Sequence, residues 1–376
     1  MLVGVFGTGR NGSTLITRLL DGISNTYVHP IELTFFSAMD DLASKKYISS
    51  ETRHFAKTKP LLNLNRPVNS SLLLSNYKYH KSEILDIYIS QLENNSLFSV
   101  NNEMDPLRIL EAKKEYIASD FVKVFLKAFS DWLNNGQRID NYLFKSIEVP
   151  YIQYYEEAFQ DMRFIHIIRN PLDVYSSLIR ATREKNNPVR MPSWYLGGDN
   201  LMTIIAKRWI PHAQFILSRK LSKRHYMIRY EDLVAEPFYR INEISNWLKL
   251  SPPKEPTKLT VLGGRFVKKL AQNVGKVGAE TPREVVENTK EFFKHDEEAI
   301  TESERELIIY LTYKYAKEFG YFEGISMPEK RVLLKKWIVP KRWELRHSKN
   351  MRGMGKSLLK ILERRIIILK ELLLYK

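Results

Sequence analysis

The sequence predicts an α/β domain built on a central, mainly parallel β-sheet, with a helical insertion and a helical C-terminal tail. Three observations carry that expectation. Short apolar runs recur, and stretches with helical spacing follow them. A glycine-rich segment sits at the first of these strand–helix junctions. The chain has 376 residues, 44% of them hydrophobic, which is ample material for a large core.

The elements follow in order. Leu2 to Phe6 is the first strand, and Ser13 to Leu20 follows with Leu15, Ile16, Leu19 and Leu20 at helical spacing. Residues 46–140 break the rhythm. They are polar and helical in character, as in ILDIYISQLE and FVKVFLKAFSDWL, and are read as an insertion over one end of the sheet. Phe164 to Ile168 (FIHII) is a buried strand, followed by a helix with Pro171 in its first turn. Tyr226 to Arg229 is a further strand before YEDL. TPRE (281–284) and TESE (301–304) both fit the capping box and predict helix starts. The α/β domain is expected over residues 1–325 and the tail over 326–376. Of the net charge of +16, residues 329–376 carry +11, from 15 Lys/Arg against 4 Asp/Glu.

Ligands of such sheets sit beyond the carboxyl ends of strands, where two unusual stretches fall. Residues 7–14 read GTGRNGST, one residue short of the P-loop G-x-x-x-x-G-K-[ST]. Gly7, Gly12 and Thr14 fit, but Ser13 replaces the lysine that reaches the terminal phosphates of a nucleoside triphosphate. The loop remains suited to an anion. Gly9 and Gly12 let the backbone turn, Arg10 supplies a cation, Ser13 and Thr14 supply hydroxyls, and the helix adds its positive end. The competing reading is a βα turn with no ligand; the coincidence of glycines, cation and hydroxyls favours the anion. A three-layer, P-loop-like fold is therefore expected. The second stretch is RNPLDVYSS, in which Arg169 ends a strand and Ser177 lies eight residues on. Together they can address a second phosphate, or Arg169 is only a surface ion-pair partner.

Arg10-Asn11-Gly12-Ser13-Thr14 and Arg169-Asn170-Pro171-Leu172-Asp173 with Ser177 resemble the motifs of sulfotransferases that use 3′-phosphoadenosine 5′-phosphosulfate (PAPS). Asn11 departs from that pattern at a position usually small and hydroxylic. MIRYEDLVAEP (227–237) and AKEFGY (316–321) are similar to two further segments of the family, in the same order. The likeness in style is to carbohydrate and tyrosine-protein members with Arg in the loop. It implies that Gly9 to Thr14 hold the 5′-phosphosulfate and that Arg169 and Ser177 hold the 3′-phosphate. By the same likeness, Lys276 in GGRFVKKLAQNVGKVG (263–278) adds a late donor contact, with Arg265 and Lys269 competing for that role. Glu231 and Asp232 are read as structural.

Sulfuryl transfer needs an in-line approach, a base for the acceptor proton and cations at the leaving phosphate. With no γ-phosphate to hold, the Walker lysine is dispensable. The resemblance casts Arg10 as the cation at the leaving group, Glu32 as the base and Lys145 as a leaving-group helper, although Pro150 comes late for that lysine's motif. The competing reading of Glu32 is an exposed acid in the first turn of a helix begun by Pro30; that of Lys145 is a strand-end lysine. His29 is the alternative base.

The chain contains no cysteine, which removes disulfides, thiolate metal sites and thiol nucleophiles. Its eight histidines form no H-E-x-x-H pair, so no metal is expected. The N-terminus does not read as a signal peptide, and no run is long enough to span a bilayer. A cytoplasmic enzyme is expected, with membrane association at the inner surface as an option. Aromatics in the insertion (Tyr77, Tyr79, Tyr88, Phe121, Phe125, Phe129, Trp132) suit sugar rings, although a helical core explains most of them. They point to a glycan or glycolipid acceptor.

In the tail, Leu358, Leu362, Ile366, Leu369 and Leu373 recur between basic residues. They predict packing on the domain, a homodimer helix or a peripheral membrane contact. Nucleic acid is not expected as a partner, since no binding module accompanies the charge. Two further readings stay open: a non-catalytic nucleotide- or glycan-binding protein, and a kinase-like phosphotransferase, which Ser13 disfavours.

Overall fold

A computed structural model describes residues 1–33, 79–80, 115–116, 118–133, 138–147, 149–183, 202–254, 259, 300–338, 365–366, 368–369 and 372–373. The first strand, β1 (Leu2–Phe6), leads through the glycine loop into α1 (Ser13–Leu20). Strand β2 (Thr26–Glu32) follows. Two residue pairs, β3 (Tyr79–His80) and β4 (Glu115–Tyr116), form a small antiparallel ladder. Helix α2 (Ala118–Leu133) precedes β5 (Asn141–Ser146) and α3 (Ile152–Ala158). Then come β6 (Arg163–Ile168), α4 (Pro171–Arg183), a π-helical stretch (Met202–Trp209) and α5 (Ile210–Ser218). Strand β7 (His225–Arg229) runs into α6 (Tyr230–Ala235) and α7 (Pro237–Leu248). Helices α8 (Glu302–Glu318) and α9 (Lys330–Ile338) follow.

The main sheet has the order β2-β5-β1-β6-β7, and every pairing is parallel. Both faces are covered, as parallel sheets require. Strand alternation divides the core. Phe6, Phe144 and Phe164 point to one side, where they meet Val122, Phe125, Leu126 and Phe129 of α2. Val3, Val5, Leu143, Ile165 and Ile167 point to the other, against Leu15, Ile16 and Leu19 of α1 and Ile241 and Ile244 of α7. The expected strand–helix sequence and three-layer α/β class are therefore present.

Three expectations change. Helix α2 falls within residues 46–140, yet it forms one layer of the core, and most of the rest of that segment lies outside the described residues. Pro30 starts no helix: residues 26–32 are an edge strand. Proline lacks the N–H that a central ladder demands, so it sits where the register shifts, between Val28 opposite Leu143 and Glu32 opposite Lys145. In the tail, Ile368 and Leu372 are buried with Leu333 and Trp337, whereas Ile366 and Leu373 are exposed. The face that packs is adjacent to the anticipated stripe, of which Leu358 and Leu362 lie outside the described residues. The guanidinium of Arg365 donates to the Trp337 carbonyl at 2.7 Å and lies 5.1 Å from that ring, and the Trp337 indole N–H donates to the Ser303 carbonyl at 3.3 Å, which anchors the tail on the domain. Of the two capping boxes, Thr301–Glu304 is formed in full, with Glu304 N donating to the Thr301 hydroxyl and Thr301 N to the Glu304 carboxylate. The box at 281–284 is outside the described residues.

Candidate active site

The glycine loop is shaped from within. Gly9 (φ 61°), Arg10 (φ 60°) and Gly12 (φ 95°) all adopt left-handed backbone, the region glycine tolerates and most side chains resist. The Asn11 side chain is 1% exposed and faces inward. Its amide donates to the Ile167 carbonyl at 2.7 Å, and its oxygen accepts from Ser13 N at 3.3 Å. A Cβ on Gly7 would stand 1.6 Å from that amide, so Gly7 is required by the asparagine stacked on it. The departure at Asn11 is thus a staple between β1, β6 and α1. Its side chain is turned away from any ligand. Gly12 leads into α1 with no side-chain cap of its own; Asn11 takes the Ser13 N–H, and the next N–H groups, at Thr14 and Leu15, are those an anion can use.

Both basic motifs converge on this turn. Arg169 is 6% exposed and donates to the Arg10 carbonyl at 3.2 Å. Arg10 Nε donates to the Ser177 hydroxyl at 3.2 Å. Residues 167 positions apart therefore share one cleft at the carboxyl ends of β1 and β6. The Arg169 guanidinium lies 4.2 Å from the Tyr230 ring, within cation–π range. That ring also closes on Gly12, where a Cβ would come within 2.3 Å of it. Burial raises the Tyr230 phenol above its ordinary pKa and Arg169 opposes that shift, so the ring stays neutral and hydrogen-bearing.

Lys145 stands at the end of β5, 8% exposed, and donates to the Thr14 hydroxyl at 2.5 Å. Burial lowers its pKa, while Glu32, its register partner on β2, pulls the other way. Glu32 is half-buried at the edge of the cleft. The structure thus brings Arg10, Thr14, Lys145 and Glu32 to one end of the sheet. His29 is placed otherwise. It is 1% exposed, wedged between Tyr27, Phe125 and Phe129, and pushed down to about 3 by burial and then by Lys145. So buried a ring cannot take a proton from an acceptor, and the alternative base falls away. Lys276 and its competitors lie outside the described residues, as do the acceptor-side aromatics Tyr77 and Tyr88. Phe125 and Phe129 belong to the core.

Tyr230 and Trp209 are not among the expected site residues, and Glu231 is expected only as a structural acid. Tyr230 packs on both phosphate motifs. Trp209 donates its indole N–H to the Arg169 carbonyl at 2.9 Å. Glu231 accepts from Asn170 N at 2.9 Å and from the Tyr321 hydroxyl at 2.7 Å. YEDL and FGY were visible as motifs, but nothing in one sequence says that they meet. Among the described residues no group of three or more His, Asp or Glu side chains is arranged to hold a metal. No described helix is long and apolar enough to cross a membrane.

The model of a family described as the sulfotransferase family matches residues 3–254. No curated protein matches the chain in sequence. Among solved structures, the sulfotransferase domain from the curacin biosynthetic pathway is similar at 16% identity, covering 87% of this chain and 98% of that one, with a TM-score of 0.45. The sulfotransferase domain from the Synechococcus PCC 7002 olefin synthase is 17% identical over 78% of this chain and 94% of its own, with a TM-score of 0.40. Retinol dehydratase in complex with androsterone and inactive cofactor PAP is 13% identical, with coverages of 80% and 81% and a TM-score of 0.31.

Proposed function

The chain belongs to the sulfotransferase family, and on that premise we propose that it moves a sulfuryl group from PAPS to an acceptor hydroxyl or amine with Glu32 as base. The carrying observation is the alignment of Glu32 with Lys145 in the β2–β5 register, with Lys145 in turn on Thr14 of the loop helix. That places a carboxylate, a cation and a helix N-terminus at one point.

The residues present fit the donor. The uncapped start of α1 and the left-handed Gly9–Gly12 turn would hold the 5′-phosphosulfate. Arg169 and Ser177 would hold the 3′-phosphate, and Lys276 would add a contact from the late basic loop. PAPS supplies the reactive group: an acceptor O–S bond forms as the S–O bond to the 5′-phosphate breaks. Glu32 takes the acceptor proton, so that no positive charge builds on the attacking oxygen as its bond to sulfur forms. Arg10 keeps its proton throughout and acts electrostatically on the oxygen that gains charge. Lys145, already lowered by burial, reinforces that positive field from the Thr14 side.

For the acceptor we infer a carbohydrate or glycolipid. The support is the aromatic content of residues 46–140, less Phe125 and Phe129. For partners we infer contact of the outward tail residues Ile366 and Leu373 with a membrane surface or a second copy of this chain; liposome flotation and sedimentation separate the two. The activity test is transfer of labelled sulfate from PAPS to a panel of glycans, glycolipids, phenols and peptides. Glu32→Gln should bind adenosine 3′,5′-bisphosphate as the parent does, without Mg, and lose at least about 100-fold in turnover. Full activity in that variant removes Glu32 as the base, and a calorimetric preference for MgATP removes the donor assignment.

A further inference from the structure

The family match ends at residue 254, yet the end of β6 is held in part by a residue beyond it. Asn11 binds the Ile167 carbonyl, Trp209 binds the Arg169 carbonyl, and Glu231 accepts from Asn170 N. The second oxygen of the Glu231 carboxylate accepts the Tyr321 hydroxyl at 2.7 Å. One carboxylate therefore joins the peptide just after Arg169 to a tyrosine 152 positions away. The same tyrosine oxygen stands 3.5 Å from the Ile168 carbonyl.

The turn that presents Tyr321 is built for that contact. Gly320 (φ 74°) and Phe322 (φ 65°) flank it, both in left-handed backbone. A bulky residue persists there only where its surroundings over-determine it. Phe322 is buried with Phe319 and Tyr321 in the cluster that includes Leu307, Leu311 and Trp209. Arg229 lies 4.9 Å from the Tyr321 ring, and its guanidinium leaves 3.2 Å for a Cβ on Gly320. The hydroxyl is thus aimed by packing on one side and by a cation on the other.

We propose that Tyr321, acting through Glu231, is a positioning residue for recognition of the donor's 3′-phosphate, so that the C-terminal turn at 319–322 completes the donor site. The inference rests on the assignment of Arg169 to that phosphate. With the Tyr321 hydroxyl in place, Glu231 is fixed by two hydrogen bonds and holds Asn170 N; Arg169 is one residue away and can project only toward Arg10 and Tyr230. Without it, the carboxylate keeps Asn170 N and the Arg229 guanidinium at 4.0 Å but loses its short bond to the turn, which gains freedom. An arginine that must order on binding recognises its phosphate less well.

The test compares two nucleotides on the full chain by calorimetry. Adenosine 3′,5′-bisphosphate carries the group that Arg169 reads, and adenosine 5′-monophosphate lacks it. Tyr321→Phe removes one oxygen and keeps the packing. It should weaken the bisphosphate about tenfold and the monophosphate less than about twofold, with donor KM raised and kcat nearly unchanged. Glu231→Gln should give the same selective loss, and it carries the comparison if Tyr321→Phe does not fold. Equal weakening of both nucleotides, or of neither, overturns the proposal and leaves Tyr321 a packing residue. If the unmutated protein binds both nucleotides alike, the Arg169 assignment fails, and this inference fails with it.

Discussion

The two halves of the candidate donor cleft are held in opposite ways. The glycine loop after β1 is nearly self-sufficient. Its left-handed residues, its inward asparagine and its uncapped helix all lie within residues 7–14, and Ile167 and Tyr230 are its main outside supports. The end of β6 has no such local device. It is pinned from residues 11, 209 and 231, and through 231 from 321. Local constraints are encoded by residue type and short spacing. Distant ones depend on how the chain returns to the same place. A phosphate site can thus be half motif and half architecture.

The comparison can be broken at the loop first. Gly12→Ala puts a Cβ at φ 95° and 2.3 Å from the Tyr230 ring. It should destabilise the protein by about 3 kcal/mol and abolish donor binding, read by thermal melts and calorimetry. A variant that melts and binds normally would mean the loop is not closed on Tyr230.

Asn11→Ala comes next. It strands the Ile167 carbonyl and Ser13 N in a buried site, for about 2 kcal/mol of lost stability. Its effect should fall on both halves, because Asn11 ties the loop to the end of β6. Asn11→Ser should recover part of the loss, since a hydroxyl can still accept from Ser13 N. No change in melting with either variant would separate the halves that the structure joins.

The smallest effect concerns pH, and it acts on the β6 half alone. His166 on β6 contacts His212 at 3.2 Å and His225 at 2.9 Å, and His225 reaches Glu156 at 3.2 Å. Arg219 forks onto the same Glu156, and Arg224 stands nearby. Burial holds all three histidines below their ordinary value: His225 at about 4, even with Glu156 opposing, His212 at about 3, and His166 well down. Folded, the chain binds no proton there at pH 6, whereas unfolded histidines do. The unfolded state therefore takes up more protons as pH falls, and stability drops between about 6.5 and 4. Melting temperature should decline over that window, and less steeply in His212→Gln. A slope identical to the parent's would show that the histidine chain does not contribute.

Much of this was legible in one sequence. Short apolar runs gave β1, β6 and β7, helical spacing gave α1 and a proline in the first turn gave α4, because a strand buried on both faces is apolar throughout and a helix buried on one face is apolar at regular steps. TESE became a capping box, since both partners of that motif lie three residues apart. The competing reading of Glu32, a helix begun by Pro30, could not be dismissed from the sequence, because a proline in an edge strand looks like one in a first helical turn. His29 as a base was weighed on chemistry alone, and burial among Tyr27, Phe125 and Phe129 removed it. The tail's apolar stripe was off by one face, since a short amphipathic helix with apolar residues on two sides does not say which side meets the core.

What the sequence indicates by itself is anion-binding chemistry at two strand ends. Glycines at turns, an arginine and hydroxyls at a helix start, and R-N-P-L-D with a serine beyond are local instructions that need no partner to be read. What only the tertiary structure decided is how those instructions meet. Arg10 reaches Ser177, Lys145 reaches Thr14, Glu32 comes into register with Lys145, and Glu231 and Tyr321 secure the strand behind Arg169. Parallel strands join only through long crossovers. Residues that face each other at their carboxyl ends are therefore far apart in the chain, and no spacing rule connects them.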